Sequence, residues 1–141
     1  MRRKTFRYLL HFASRVPGVY ATLAFFVARR ITVRGRSMAP ALLPGERLLI
    51  DRLAYVRNPL SAGDVVWVAH PLQPELRMVK RLAAVPGDTL GGRTLGPGEY
   101  WVLGDNTEES TDSRVFGPVR RRDLLGRAWV RYWPAELWKV W

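Results

Sequence analysis

From residue 31 onward, the chain alternates short runs of apolar residues with clusters of turn-forming residues. The apolar runs are four to seven residues long and rich in Val, Leu, Trp and Tyr, a composition typical of β-strands. They lie at residues 47–51, 64–69, 76–82, 100–103 and 128–133, with a further strand predicted at 31–34. Gly and Pro mark the turns between them. The pattern predicts a mostly β fold, a compact antiparallel sheet behind one N-terminal helix.

The N-terminal segment has a different pattern. Residues 16–28 form an uncharged apolar run between Arg15 and Arg29. As a helix, these thirteen residues reach about 20 Å, short of the roughly 30 Å hydrocarbon core of a bilayer. Extending the helix back to residue 8 gives enough length, but it buries Arg15 unless that side chain snorkels. The pattern favours a helix that anchors in a membrane or lies on its surface, with an ordinary amphipathic helix as the alternative.

This change of pattern also predicts the domain organisation. Residues 1–30 are expected to be a basic, apolar helix and candidate membrane anchor, and residues 31–141 the one folded domain. A cleavable signal peptide is a further interpretation of the basic start, but no Ala-x-Ala site follows it cleanly. Basic residues flank the apolar run on both sides, so the positive-inside rule gives no orientation.

The net charge of +11 is a property of the N-terminal segment. Residues 1–36 hold nine basic residues and no acidic one, whereas the remainder holds fourteen basic and twelve acidic residues. A basic β-barrel that binds nucleic acid is therefore disfavoured, because phosphate binding requires positive charge on the folded face. The chain has no cysteine, which excludes disulfides and thiol catalysis, and no metal or other cofactor is expected.

Lys80 is unusual because the chain has only three lysines against twenty arginines. It lies in an apolar run, where a cation is costly. Arginine cannot lose its proton in a protein, whereas a desolvated lysine can become a neutral amine and act as a base. The alternative is a lysine whose stem covers the sheet while its ammonium reaches water.

Ser37 lies between Gly35 and Pro40, at the end of a predicted strand. A tight turn there exposes the serine hydroxyl, and backbone N–H groups of the turn can face a developing oxyanion. A neutral lysine amine can activate such a hydroxyl, as histidine does elsewhere. His11 and His70 are interpreted as structural residues. An ordinary turn serine is the alternative for Ser37.

Residues 104–114 form the densest polar segment of the chain. Such a segment is normally a solvated loop. However, Asp105, Asp112 and Arg114 can form an internal network of ion pairs and hydrogen bonds that folds the loop onto the sheet. Ser110 could then accept a hydrogen bond from the lysine and orient it.

Taken together, these segments resemble the ordered boxes of the type I signal peptidase family, whose members use a serine–lysine dyad. The matching segments, which cover roughly residues 30 to 134, are 35–42, 63–66, 79–82 with 86–88, 104–106 with 110–114, and 132–134. The resemblance implies a barrel-like catalytic core with Ser37 as nucleophile, its backbone N–H in the oxyanion hole, and Lys80 as general base. It also implies that Ser110 orients the lysine, and that Asp105, Asp112 and Arg114 support the site.

By the same resemblance, the protein is expected to be a serine endopeptidase that removes a signal or leader peptide from precursor proteins. Only about ten residues, 89–98, lie where larger members carry an extra domain. The chain is similar in this respect to mitochondrial inner-membrane peptidases and to nickel superoxide dismutase maturation peptidases. A maturation peptidase dedicated to one precursor is therefore the alternative function. Gly35 stands where some members have a serine that assists the oxyanion hole.

The expected location is the cell membrane, with one N-terminal anchor and an extracytoplasmic catalytic domain, and a cytoplasmic or peripheral location is the alternative. Trp129 and Trp133 are predicted to pack in the core, and Trp138 and Trp141 to contact lipid. A non-catalytic membrane-associated adaptor with the same fold is disfavoured by the presence of both Ser37 and Lys80. The sequence gives no prediction of oligomeric state.

Overall fold

A computed structural model describes residues 17–137 and 139–141 of the chain. Helices α1, α2 and α3 span Pro17–Val27, Ala54–Arg57 and Ser113–Phe116. Strands β1 to β10 span, in chain order, Arg29–Thr32, Arg47–Asp51, Val65–His70, Gln73–Ala84, Thr89–Leu90, Arg93–Thr94, Glu99–Leu103, Val119–Arg120, Leu124–Trp133 and Lys139–Val140. Short 3-10 helices span Thr107–Glu109, Arg121–Asp123 and Ala135–Leu137. The predicted mostly β fold is confirmed.

The main sheet has the strand order β1-β2-β9-β3-β4-β7-β8, and β10 pairs with β9. Every pairing is antiparallel, and β5 and β6 form a separate small hairpin. β1 and β4 are four places apart in this order, yet residues of both line one cavity. The sheet therefore curls like a barrel and leaves an opening between β1 and β4.

The core lies on both faces of the sheet, as β3 illustrates. Val65 and Trp67 join one apolar cluster with Met38, whereas Val66 and Val68 join a second cluster. Successive side chains of a strand point to opposite faces, so a strand covered on both faces is apolar at every position. This explains why the sequence of β3 shows a continuous apolar run instead of an alternating one.

Helix α1 packs against the sheet through one face only. Tyr20 and Ala24 are buried, and the Tyr20 hydroxyl donates a hydrogen bond to the Asp51 carboxylate on β2. The opposite side exposes apolar residues, among them Phe25 and Phe26. The eleven residues of α1 extend about 16 Å, and no helix within residues 17–137 and 139–141 is long and apolar enough to cross a bilayer.

Several expectations about the ends of the chain need revision. The strand predicted at residues 31–34 begins earlier, at Arg29, and ends at Thr32. Trp133 is 52% exposed at the end of β9, so the prediction that it packs in the core is wrong. Trp141, predicted to contact lipid, is half-buried and packs against the core cluster of Met38, Leu48 and their neighbours. Trp138, His11 and the predicted helix before residue 17 lie outside the described residues.

Candidate active site

Ser37 lies in a tight turn that follows β1. The turn is closed by backbone hydrogen bonds from Ala39 N–H to the Arg36 carbonyl and from Leu42 N–H to the Met38 carbonyl, at 3.0 and 2.8 Å. Met38 and Leu42 are buried in the core, which fixes the turn to the sheet, while Ser37 remains half-buried. Ser37 thus lies beside the buried Met38 but lines the cavity at the opening of the sheet.

Lys80 lies on β4 opposite Val66 of β3, and only 2% of it is exposed. Its Nζ donates a hydrogen bond to Ser110 Oγ at 2.9 Å. Burial lowers the pKa of the Lys80 amine below its usual 10.5; the Asp112 carboxylate opposes this shift and the Arg114 guanidinium adds to it. The burial of Lys80 and its contact with Ser110 are as expected, whereas the amine is also expected to reach Ser37 Oγ, and no such hydrogen bond is present among residues 17–137 and 139–141.

Asp112 is the fixed acceptor of the site and is fully buried. It accepts hydrogen bonds from Gly104 N–H at 2.9 Å, from Ser110 Oγ at 2.6 Å and from the Arg114 guanidinium at 2.7 and 2.9 Å. Burial raises the pKa of the Asp112 carboxyl, but these hydrogen bonds outweigh burial and hold the pKa far below its usual value. Asp112 is therefore an ionised carboxylate that can only accept hydrogen bonds.

Because Asp112 is ionised, the donor and the acceptor are fixed in both hydrogen bonds that connect it to Lys80 through Ser110. Because the carboxylate cannot donate, Ser110 must donate its only proton to Asp112. The Ser110 oxygen is then left to accept from the Lys80 amine. A neutral Lys80 that spends one N–H on Ser110 keeps its lone pair free of this contact. The network thus orients Lys80 and leaves its basic electron pair available.

A second ion pair fixes the start of the same loop. Arg81 donates two hydrogen bonds to the Asp105 carboxylate, at 2.8 and 2.6 Å. Asp105 thus pairs with β4, separately from the pair of Asp112 with Arg114, so the predicted single network consists of two ion pairs. The bidentate geometry anchors the loop to the strand that carries Lys80.

Gly104 allows this loop to approach both serines closely. A Cβ atom at residue 104 would lie 2.5 Å from the Ser37 carbonyl oxygen and 2.5 Å from Ser110 Cβ. Real Cβ atoms do not approach neighbours to that distance, so only glycine fits here. Asn106 N–H also donates to the Ser37 carbonyl at 3.0 Å. The loop therefore holds the backbone of Ser37 as well as the side chain of Lys80.

A cavity of about 700 Å³ brings the two central residues together, since Ser37 and Lys80 both line it. Within residues 17–137 and 139–141, no hydrogen bond joins Lys80 Nζ to Ser37 Oγ. Catalytic hydrogen bonds are often long without substrate and shorten in the Michaelis complex. His70 lies elsewhere: its Nδ1 accepts from Leu72 N–H and its ring packs edge-on against Phe116. These contacts agree with a structural role for His70.

Of the predicted site residues, Ser37 and Lys80 line the cavity, Ser110, Asp112 and Arg114 are linked to Lys80 by hydrogen bonds, and Asp105 pairs with the neighbouring Arg81. The sequence prediction assigns no role to Arg81, Gly104 or Asn106, although all three lie within the segments that carry the family resemblance, and that position is the signal that could have identified them. Within the part of the chain that the structure describes, no group of three or more His, Asp or Glu residues could hold a metal ion.

Comparison with known proteins identifies the class. A family model described as "Signal peptidase, peptidase S26" matches residues 6–94 and 89–133. Signal peptidase I of Leptolyngbya laminosa is 34% identical over 146 aligned positions, gaps included, and the alignment covers 79% of this chain and 71% of that protein. The mitochondrial ATP-independent inner membrane protease subunit 1a of Arabidopsis thaliana is 37% identical over 117 aligned positions, and the alignment covers 74% of this chain and 70% of that protein. Signal peptidase I of Bacillus caldolyticus is 32% identical over 82% of this chain and 85% of its own length.

These matches and the fold define a serine peptidase of the signal peptidase I type. The chain belongs to the signal peptidase family, peptidase S26. Membership of this family implies that its substrates are precursor proteins.

Proposed function

We propose that this peptidase uses Ser37 as its nucleophile and Lys80 as its general base. The observation that carries the proposal is the buried Lys80 amine, oriented by Ser110 and facing the cavity that Ser37 also lines. A lysine can act as a base near neutral pH only if its surroundings disfavour the charged form. The burial of Lys80 supplies that condition, and no other lysine of residues 17–137 and 139–141 is buried.

The reaction proceeds through an ester intermediate. The lone pair of neutral Lys80 takes the Ser37 hydroxyl proton as Ser37 Oγ attacks the scissile carbonyl carbon. Protonated Lys80 then gives that proton to the leaving amine, which departs and leaves Ser37 acylated. Water, deprotonated by the same amine, hydrolyses the ester and restores both side chains. The backbone N–H of Ser37 stabilises the oxyanion, because Gly35 has no side chain that could assist.

The residues around the dyad keep it in position. Ser110 orients the Lys80 amine, Asp112 and Arg114 fix Ser110, and the Asp105 ion pair with Arg81 fixes the start of the loop. None of these side chains forms or breaks a bond in the reaction. Their role is to hold the reacting groups in place, so that the site does not have to reorganise during the reaction.

The substrate binds as an extended strand in the opening between β1 and β4. β1 pairs only with β2, and β7 pairs with β4 only from Arg81 onward, so the edges of both strands that line the cavity are unpaired. An unpaired edge can bind an extended peptide through main-chain hydrogen bonds. The bound segment is the signal or leader peptide of a precursor, cleaved beside Ser37.

We further propose that residues 1–30 associate with the membrane and that residues 31–141 form an extracytoplasmic catalytic domain. The exposed apolar side of α1, with Phe26 79% exposed, supports lipid contact of this segment. β1 begins at Arg29, so its first two residues precede the proposed boundary. The helix is bound to the sheet through Tyr20 and Asp51, which keeps the opening of the cavity at a fixed position relative to α1.

The test is cleavage of a leader-bearing precursor by the purified full chain, with the new N-terminus determined by mass spectrometry. Ser37→Ala is expected to abolish cleavage while the circular dichroism spectrum and the Tm stay unchanged. Ser61→Ala, which removes an exposed hydroxyl elsewhere, is the control and is expected to retain cleavage. Cleavage by Ser37→Ala at the wild-type rate would refute the nucleophile assignment. Precursors that accumulate in cells carrying Ser37→Ala would identify the natural substrates.

A further inference from the structure

Arginine side chains surround the opening that leads to Ser37 and Lys80. The cavity of about 700 Å³ is lined by Arg29, Arg30, Arg34 and Arg77, whereas Glu75 is the one acidic residue among the described residues that line it. These five residues leave an excess of three positive charges, without counting Lys80. Arg29, Arg30 and Arg34 belong to the basic segment of residues 1–36, and Arg77 on β4 adds a positive charge from the part of the chain whose charges nearly balance.

None of these four arginines is in an ion pair with an acidic residue of the described part of the chain. Eight other arginines in residues 17–137 and 139–141 are in ion pairs, and none of those eight lines the cavity. All twelve acidic residues of the protein lie within the described part of the chain, so none is left outside it to neutralise this cluster. The charge at the cavity is therefore available to a ligand.

Two of these guanidinium groups are held by an aromatic ring. The guanidinium carbon of Arg29 lies 5.8 Å from the centre of the Trp67 ring, and that of Arg77 lies 5.2 Å from it. Trp67 is 8% exposed and lines the same cavity. Stacking on an aromatic ring limits the freedom of an arginine without neutralising its charge. β1 and β4 thus present one positive group each at the same ring.

The strand geometry gives the distance of this group from the reaction. Arg77 precedes Lys80 by three residues on β4, which corresponds to about 10 Å along the strand. A substrate strand beside β4 advances at the same rate per residue. The substrate residue beside Arg77 is therefore three to four residues from the scissile bond.

We infer that this peptidase selects precursors with an acidic side chain three to four residues from the cleavage site, which Arg77 and Arg29 recognise across Trp67. The inference depends on the proposed function, because it uses the proposed position of the scissile bond. An anionic membrane surface is the competing ligand for such charge. The cavity position favours the peptide, since Arg29 and Arg77 line the same cavity as Ser37. Arg77 lies on the face of β4 opposite Lys80, and an extended substrate presents alternate side chains to these two faces.

The test uses a series of quenched fluorescent peptides based on the leader of a cleaved precursor. Each peptide carries either Glu or Gln at one position, scanned from five residues before to five residues after the scissile bond. At low salt, kcat/KM is expected to be about three- to tenfold higher for Glu than for Gln at a position three to four residues from the bond. The preference should fall towards one in 0.5 M NaCl, because salt screens exposed charges.

Each variant is described by its ratio of kcat/KM for the Glu peptide to kcat/KM for the Gln peptide. This ratio does not depend on how much of the variant is folded and active. Arg77→Gln is expected to lower the Glu/Gln ratio to about one, and Arg77→Glu to favour a Lys peptide over a Glu peptide at the same position. Arg52→Gln is the matched control, because Arg52 is also exposed and without an ion pair but does not line the cavity, and it should keep the wild-type ratio.

The outcomes separate this inference from the proposed function. If the wild type cleaves every peptide with a Glu/Gln ratio of one at all positions, the acidic preference is wrong while the peptidase assignment stands. A ratio of one combined with reduced binding of Arg77→Gln to phosphatidylglycerol vesicles would assign the arginines to the membrane and overturn the inference. Failure of the wild type to cleave any peptide would instead contradict the proposed function.

Discussion

The charged side chains in the interior of the candidate active site differ from those at the entrance to its cavity in whether they have an ion-pair partner. In the interior, the fully buried Asp112 carboxylate pairs with the Arg114 guanidinium and also accepts a hydrogen bond from Ser110. At the entrance, Arg29 and Arg77 are exposed and have no acidic partner within residues 17–137 and 139–141. Preorganised chemistry requires groups that do not move during the reaction, whereas recognition requires groups whose partner arrives with the ligand. The difference separates the residues proposed to build the site from those proposed to select the substrate.

The largest effect expected from breaking the interior is on stability. Asp112→Asn leaves the Arg114 guanidinium without its carboxylate and weakens the acceptor of Ser110 and Gly104. We expect the free energy of unfolding to fall by about 3 kcal/mol, the lower end for a buried ion pair because Arg114 is partly exposed. Urea denaturation followed by tryptophan fluorescence measures this loss.

The matching change at the entrance should have a much smaller effect on stability. Arg77→Gln removes an exposed guanidinium whose main contact is the Trp67 ring, so the free energy of unfolding should fall by no more than about 1 kcal/mol. If Asp112→Asn and Arg77→Gln lowered the free energy of unfolding equally in the same urea titration, the proposed difference between interior and entrance charges would be wrong.

Within the interior, activity and stability can be separated by two serines of one loop. Ser110→Ala removes the acceptor of the Lys80 amine, and we expect kcat to fall about 10²- to 10³-fold, within the range for a misplaced general base. Ser113→Ala removes a buried hydroxyl that accepts from Val102 N–H, which should lower the Tm without a comparable loss of kcat. A similar loss of kcat in both variants would show that Ser110 acts only through loop stability.

A smaller effect concerns pH. Burial lowers the pKa of Lys80 below 10.5, so the folded protein releases this proton at a pH where the unfolded chain still binds it. The contribution of Lys80 to stability therefore increases with pH through that window and is lost as pH falls. For the same reason, kcat/KM should rise with pH and level off below pH 10.5. A profile that continues to rise beyond that value would place the titration on an unperturbed lysine.

Much of the active site could be predicted because its residues lie in short local segments. Ser37 in a glycine–proline turn and Lys80 in an apolar strand are each unusual in their immediate sequence, and their order matches a known family. Gly104 could not be interpreted this way, since its requirement for glycine arises from contact with Ser37, which is 67 positions away in the chain. Nothing in the local sequence shows that the loop must pass so near Ser37.

The tryptophans show the same limit in the fold. Trp133 lies in an apolar strand, but it is the last residue of β9 and pairs with Arg47 at the start of β2. Its ring lies near the Arg47 guanidinium carbon, 5.6 Å from it, and not in the core. Trp141 instead packs against the core after β10 returns to β9. Strand register and the return of the chain decide which ring is buried, and neither is encoded in the composition of the segment.

The assignment of Lys80 as the base is tested most directly by replacing it with arginine. Lys80→Arg keeps a positive charge and a similar length but cannot provide a neutral amine, so kcat/KM for a leader-bearing precursor should fall about 10²- to 10⁴-fold or more. Lys139→Arg, the same change at an exposed lysine beside Trp141, is the control and should retain wild-type kcat/KM. Wild-type kcat/KM in the folded Lys80→Arg variant would contradict the assignment of Lys80 as the catalytic base.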